Sequence, residues 1–252
     1  KLTKKKHIND INIYNNENDE EVKDNISLLS DTTKRKYAQY ITQTFDKEKS
    51  IEIIELDINR TFASLEVFKS GTPLGETLKE LLRVFVITRP DIGYVQGLSY
   101  IAAVLLMQMG KFQSFVGFCN IILSPDIFPF YKLDEKGINK RLNIFNEIFE
   151  CNLPKLYKHF IKFSVFPEHY LLEWIMTLYT RAFHIDLVVR IWDVFMVEGI
   201  ISLYKIAIII LSFMDKDLIN GEFSEILLQL RETKNYKINE DEFILKMDDV
   251  KF

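Results

Sequence analysis

The sequence lacks the residue patterns of several common kinds of site. Its two cysteines, Cys119 and Cys151, lie in apolar segments without the spacing of metal ligands, so we interpret both as small buried residues in a reducing compartment. The four histidines are scattered, and none forms a His-Glu-x-x-His motif or pairs with a cysteine at zinc spacing. Neither a Gly-x4-Gly-Lys-Ser/Thr phosphate loop nor a Gly-x-Ser-x-Gly nucleophile motif occurs. We therefore expect that this chain binds no metal ion, that it binds no nucleotide through a phosphate loop, and that it has no serine nucleophile.

Long apolar runs and an excess of positive charge are also missing. The longest apolar stretch, residues 200–214, is interrupted by Ser202, Lys205 and Ser212. It is shorter than the roughly 20 residues of a membrane-spanning helix, so we interpret it as a buried core helix. With 32 basic and 36 acidic residues the formal net charge is −4, which argues against non-specific binding to nucleic acid.

The two-residue alternation of β-strands is absent, and apolar residues instead recur at spacings of three and four. This periodicity predicts an all-α fold: a single domain of roughly a dozen helices without a sheet. One predicted helix is capped by Ser50 and another follows Pro73. Further predicted helices span residues 32–45, 98–109, 112–123, 136–149, 156–163, 168–179, 185–195 and 202–214. Residues 1–30 are polar and are predicted to be largely disordered or loop, and the helical domain is predicted to span residues 31–252.

One candidate site lies on the helix that follows Ser50. Asp57 and Arg60 are three residues apart and lie beside the apolar stripe that contains Ile54 and Ile58. On spacing alone, an ordinary ion pair between neighbouring turns of the helix is the favoured interpretation.

A second candidate lies in residues 93–97 (GYVQG), between a helix-breaking segment and an apolar helix. Gln96 is therefore expected at or just before a helix N-terminus, where unpaired N–H groups and the positive end of the helix dipole favour phosphate. Its amide can donate to one oxygen and accept from a water molecule. On spacing alone, a helix cap with a glycine hinge is again the favoured interpretation.

A third charged pair, Arg190 and Asp193, brackets Trp192. The flanking apolar residues suggest that this pair is partly buried and fixes the packing of its helix.

These three elements together resemble the TBC domain family of Rab GTPase-activating proteins. Residues 54–60 (IELDINR) resemble the Ile-x-x-Asp-x-x-Arg motif of the family, and residues 94–97 (YVQG) resemble its Tyr-x-Gln motif. Residues 190–193 (RIWD) resemble a third landmark. Each motif alone is weakly specific, but their order along one helical chain is specific, and the resemblance covers roughly residues 35–230.

The resemblance implies a GTPase-activating domain that supplies two side chains in trans to a GTP-bound Rab-family GTPase. Arg60 would be the arginine finger and Gln96 would orient the attacking water, while Asp57 holds Arg60, and Tyr94 and Gly97 support the loop. The chain would be a catalytic activator rather than a self-contained hydrolase. It would have no cofactor of its own, because GTP and Mg²⁺ are carried by the GTPase. The resemblance further implies a cytoplasmic protein of vesicle traffic, recruited peripherally to endomembranes, and leaves the target Rab and the oligomeric state open.

The sequence departs from the family pattern at two places. No Arg-x-x-x-Trp element precedes residue 30, so we expect the natural N-terminus to be truncated. The family often has proline where this chain has Ala63, which is expected to allow another turn of helix after Arg60.

The alternative functions are a non-catalytic Rab-binding effector or scaffold, and a helical scaffold unrelated to GTPases.

Overall fold

The computed structural model describes residues 48–236 and 238–252, so the predictions for residues 1–30 and for a helix over residues 32–45 lie outside the described part. Within these ranges the fold is all-α, as predicted, with twelve α-helices and no strand. The described residues form two compact units, which are divided between Ser124 and Pro125.

The described part of the first unit contains four α-helices: α1 (Glu48–Arg60), α2 (Pro73–Thr88), α3 (Leu98–Gln108) and α4 (Lys111–Ile122). A short 3-10 turn, Ala63–Leu65, follows α1. Thr72 caps the N-terminus of α2, and its hydroxyl accepts a hydrogen bond from the backbone N–H of Gly75 at 3.0 Å. Helix α3 begins directly after Gly97, which adopts a left-handed conformation with φ of 100°.

The core of the first unit lies between α1, α2, α3 and α4. Ile54 and Ile58 of α1 are fully buried, as the apolar stripe predicted, and the rings of Phe85 and Phe118 meet edge to face with centroids 4.9 Å apart. Since α1 packs against both α2 and α3, the C-terminal end of α1 meets the turn that precedes α3.

The second unit contains the other eight described helices: α5 (Phe128–Lys132), α6 (Glu135–Asn152), α7 (Pro154–Lys162), α8 (Leu171–Met176), α9 (Ile185–Glu198), α10 (Ile200–Leu218), α11 (Phe223–Arg231) and α12 (Glu240–Leu245). Helix α10 contributes many buried side chains, including all of residues 206–211, which confirms that residues 200–214 form a core helix. Phe149 of α6 meets Phe160 of α7 at 5.4 Å and fixes that helix pair. Among the described helices, none combines the length and apolar character that a membrane span requires.

The ends of α1 differ from the prediction. The predicted cap, Ser50, lies inside the helix, which is described from Glu48 onward, and the helix ends at Arg60 without the extra turn that Ala63 was expected to allow. Phe62 takes a left-handed conformation with φ of 46°. Its ring packs against Tyr100 at 5.4 Å, so a contact with α3, rather than helix propensity, ends α1.

The prediction of a single helix over residues 168–179 is also wrong. The chain forms a 3-10 turn, Pro167–His169, and the short α8, and then turns sharply with Leu178 and Tyr179 at positive φ. The carbonyl oxygen of Leu178 accepts from Trp192 Nε1 at 3.0 Å, and the Tyr179 hydroxyl donates to the carbonyl of Leu203 at 2.6 Å. These distant partners stabilise a turn that local periodicity does not reveal.

The cysteine prediction is half right. Cys119 is buried, and burial raises the pKa of its thiol to about 12. Cys151 is exposed, because it lies on the outer side of α6 near that helix's C-terminal end.

Replacing Gly75 with alanine should destabilise the turn that connects α1 to α2. A Cβ atom at Gly75 would lie 2.2 Å from the carbonyl oxygen of Lys69, so the backbone has to shift. We expect the free energy of unfolding to fall by about 1–3 kcal/mol in urea denaturation. Gly117→Ala is the matched control, because its Cβ would lie 3.7 Å from Leu105 Cδ2, an ordinary contact. It should be neutral or stabilising, and equal stability of the two variants would contradict this account of the turn.

Candidate functional site

The candidate site is built around the carboxylate of Asp57, where the end of α1 meets the turn before α3. Only 1% of the Asp57 surface is exposed. Oδ1 accepts from Arg60 Nε at 2.5 Å and also pairs with Arg60 Nη2. Oδ2 accepts from the Tyr94 hydroxyl at 2.6 Å and from the backbone N–H of Gly97 at 3.0 Å. Both oxygens of a buried carboxylate are therefore satisfied by donors from two separate segments.

The burial of Asp57 follows from the spacing of α1. Asp57 lies three residues after Ile54 and directly before Ile58, both of which are fully buried, so all three face the core of the first unit. Removing a carboxylate from water is unfavourable unless hydrogen bonds and a cation replace the lost hydration. The guanidinium, the phenol and the backbone amide provide that replacement.

Arg60 is the last residue of α1 and faces outward. Its side chain is 49% exposed although Asp57 holds it through Nε and Nη2. The guanidinium carries five N–H donors, and Nη1 has no acceptor among the residues that the structure describes. The main-chain carbonyl oxygen of Arg60 accepts from the Tyr100 hydroxyl at 2.9 Å, which ties the end of α1 to α3. The predicted hydrogen bond between Asp57 and Arg60 is thus present, within a larger network than an isolated helical ion pair.

Tyr94 is a hydrogen-bond donor at neutral pH. Burial raises the pKa of its phenol well above the usual value, and the hydrogen bond to Asp57 and the charge of that carboxylate raise it further. The phenol therefore stays protonated across the physiological pH range and keeps donating to Asp57.

Gln96 is exposed on the turn before α3. Its side chain makes no hydrogen bond to any residue in the described ranges, and it is Gly97, not Gln96, that occupies the N-cap position of α3. The helix-cap interpretation of Gln96 is therefore wrong. Because the next residue, Gly97, donates its N–H to Asp57, the backbone at Gln96 is held beside the carboxylate that also binds Arg60. The positive φ of Gly97 favours glycine at this position.

Three hydroxyl residues at the site were not predicted from the sequence. The buried Thr61 hydroxyl donates to the carbonyl oxygen of Asp57 at 2.6 Å and lies 2.7 Å from the hydroxyl of Ser99, the second of the three. Tyr100 is the third, through its bond to Arg60. A signal was available, since Thr61 follows Arg60 directly and Ser99 and Tyr100 stand in the first turn of the helix after Gln96.

The third candidate motif lies in the second unit, away from the residues around Asp57 in the chain. Trp192 is buried and donates Nε1–H to Leu178, so this part of the motif fixes packing as predicted. The prediction that Arg190 and Asp193 form a partly buried pair is wrong. Both side chains are exposed, and Arg190 instead pairs with Asp241 of α12 at 3.3 Å. At that exposure the ion pair adds little stability.

In the described part of the chain, no group of three His, Cys, Asp or Glu side chains is placed to hold a metal ion. What the first unit presents at its surface is the guanidinium of Arg60, which Asp57 holds, and the exposed amide of Gln96. Both groups can bind and orient charged oxygens.

Known proteins resemble this chain in sequence. The family described as the Rab-GTPase-TBC domain matches residues 8–219. TBC1 domain family member 12 of Xenopus tropicalis is 40% identical over 181 residues, which are 72% of this chain and 26% of that protein. TBC1 domain family member 14 of Homo sapiens is 40% identical over 178 residues, which are 71% of this chain and 26% of that protein. The chain therefore spans about a quarter of the length of these relatives.

A solved structure resembles the chain in fold. The crystal structure of the Chlamydomonas flagellar RabGAP TBC domain matches with a TM-score of 0.69 at 18% sequence identity, covering 84% of this chain and 72% of that one. At this identity the likeness shows a shared all-helical fold.

Replacing Asp57 with alanine should destabilise the first unit strongly. The change leaves the Tyr94 hydroxyl and the Gly97 N–H without their acceptor in a largely buried setting. We expect the free energy of unfolding to fall by about 2–4 kcal/mol in urea denaturation. Glu52→Ala, which removes an exposed carboxylate from the same helix, is the control and should change it by less than about 0.5 kcal/mol. If the two variants were equally stable, Asp57 would not organise this region.

Proposed function

We propose, since this chain belongs to the Rab-GTPase-TBC domain family, that it accelerates GTP hydrolysis by a GTP-bound Rab-family GTPase. In this proposal Arg60 and Gln96 act in trans on the nucleotide of the partner. The observation that carries the proposal is the buried Asp57 carboxylate, which binds the Arg60 side chain through one oxygen and the backbone next to Gln96 through the other.

Phosphoryl transfer suits a site of this composition. The reaction needs the attacking water and the phosphoryl group to be positioned and the developing charge to be stabilised, and it needs no nucleophile from the activating protein. A chain without a nucleophile and base pair can therefore still raise the rate. GTP and Mg²⁺ belong to the GTPase in this scheme.

Arg60 is suited to the role of the arginine finger. Its guanidinium is half exposed, and the hydrogen bonds to Asp57 limit the conformations that it samples before the partner binds. Pre-orientation of this kind lowers the reorganisation needed when charge develops on the phosphoryl oxygens. Asp57 itself is a positioning residue, as are Tyr94 and Gly97, which hold its second oxygen.

Gln96 is suited to orient the attacking water. Its amide can donate to a phosphoryl oxygen and accept from the water at the same time. The side chain is exposed and makes no hydrogen bond to another described residue, so no bond within the described part of the chain has to break when a GTPase binds.

Membership of the Rab-GTPase-TBC domain family supports a proposal for the cellular setting: this chain acts in the cytoplasm, in vesicle traffic at endomembranes.

Arg60→Ala should abolish most of the acceleration. We expect single-turnover GTP hydrolysis by a responsive Rab, identified in a panel, to slow by on the order of 10³ to 10⁵ relative to the unmodified chain. Arg60→Lys should not restore it, because an ammonium lacks the planar fork of the guanidinium. Arg231→Ala removes an exposed arginine at the end of α11 and is the matched control. Acceleration that survives in Arg60→Ala would refute the finger assignment.

Gln96→Ala tests the proposed role of the glutamine. We expect this variant to bind a Rab loaded with GDP and aluminium fluoride far more weakly, and to accelerate hydrolysis little, since the water loses its orienting amide. Gln108→Ala, at the other end of α3, should behave like the unmodified chain. Tight binding of GTP-loaded Rab by the unmodified chain, without any acceleration, would instead support the alternative of a non-catalytic effector or scaffold.

A further inference from the structure

A row of lysines runs along the outer side of α7 in the second unit. Lys155, Lys158 and Lys162 are all exposed, and their spacings of three and four place them in one stripe of the helix. Leu156 and Phe160 occupy the opposite side and are buried. We propose that this surface, which we call the α7 lysine row, docks the chain directly onto an anionic lipid bilayer.

The lysines of this row are available to an external anion. Within the described residues, none of the three pairs with a carboxylate. Between Glu150 and Glu168 the chain carries three lysines and no acidic residue, although its formal net charge is −4. The positive charge is therefore concentrated in this segment, although the chain as a whole is negatively charged.

Exposed apolar side chains lie at the C-terminal end of the row. Ile161 is 47% exposed, and Phe166 and Phe223 are 43% and 42% exposed. The ring of His169 lies between the two phenylalanines, with centroid distances of 6.0 Å to Phe166 and 5.5 Å to Phe223.

Helix α7 is joined directly to the segment that carries Phe223. His159 Nε2 lies at hydrogen-bond distance, 2.8 Å, from the carbonyl oxygen of Gly221, two residues before that phenylalanine. Lys162 Nζ lies 4.9 Å from the centre of the Phe163 ring. The helix that carries the lysines is therefore in direct contact, through His159, with the segment that carries Phe223.

This combination fits a lipid surface better than a protein partner. Lysine is depleted in protein interfaces, where arginine is enriched, and α7 carries lysine without arginine. An anionic bilayer attracts flexible ammonium groups through a diffuse potential that needs no fixed geometry, and aromatic side chains are favoured at its interface.

The test measures co-sedimentation of the 252-residue chain with vesicles in the absence of any GTPase. We expect binding to vesicles of phosphatidylcholine and phosphatidylserine, little binding to phosphatidylcholine alone, and release by added salt. Replacing Lys155, Lys158 and Lys162 together with glutamine should weaken binding on the order of 100-fold, since each lysine near such a surface contributes about fivefold.

Two further variants separate the α7 lysine row from general charge and from folding. Replacing Lys136, Lys216 and Arg231 with glutamine removes the same charge from other exposed positions of this unit and should leave binding nearly unchanged. Ile161→Ser with Phe166→Ser should weaken binding while leaving the lysines in place. Thermal unfolding followed by circular dichroism confirms that each variant is folded.

Absence of binding to phosphatidylserine vesicles, or equal losses in the two charge-neutralised variants, would overturn the proposal. Binding of an acidic protein through the same lysines without any vesicle binding would also overturn it, in favour of a protein interface. Because no GTPase is present, the result is independent of whether the chain activates a Rab.

Discussion

The buried carboxylate of Asp57 is the interaction on which the candidate site depends. A carboxylate that loses contact with water needs several donors in place of its hydration, and here the donors come from its own helix and from the segment before α3, 37 and 40 residues away in sequence. Each donor has to be near its ideal position for the burial to be tolerated. The energetic demand of one buried charge therefore sets the geometry between the end of α1 and the start of α3.

The exposed residues gain their positions from this buried one. Arg60 and Gln96 lie at the surface, where side chains ordinarily sample many rotamers. The carboxylate holds the first by its side chain and the second by the backbone of its neighbour, and Tyr100 fixes the Arg60 carbonyl as well. A site that stabilises developing charge works best when its dipoles are oriented in advance, and this network is such an arrangement.

Positive charge has different roles at Arg60 and along α7. At Arg60 a single planar guanidinium is fixed by hydrogen bonds, which suits recognition of a few oxygens in a defined geometry. Along α7 the ammonium groups have no carboxylate partner among the described residues, and their effect is a summed attraction that tolerates disorder in the partner. The aromatic core beneath α7, including Phe149 and Phe160, keeps that helix in place while its outer side stays polar.

Periodicity in the sequence alone was enough to predict the all-helical fold and most helix positions, because a helix depends on contacts three and four residues apart. The same local logic predicted that Asp57 and Arg60 could pair, and the order of the motifs connected them with Gln96. Tertiary structure alone decided that Asp57 is buried, that Thr61, Ser99 and Tyr100 join the site, and where α1 ends. It also decided that Arg190 pairs with Asp241 and not with Asp193, and that residues 168–179 do not form a single helix. The reason is common to all of these cases: each depends on a partner far away in the chain, whose approach is set by packing and not by the neighbouring residues.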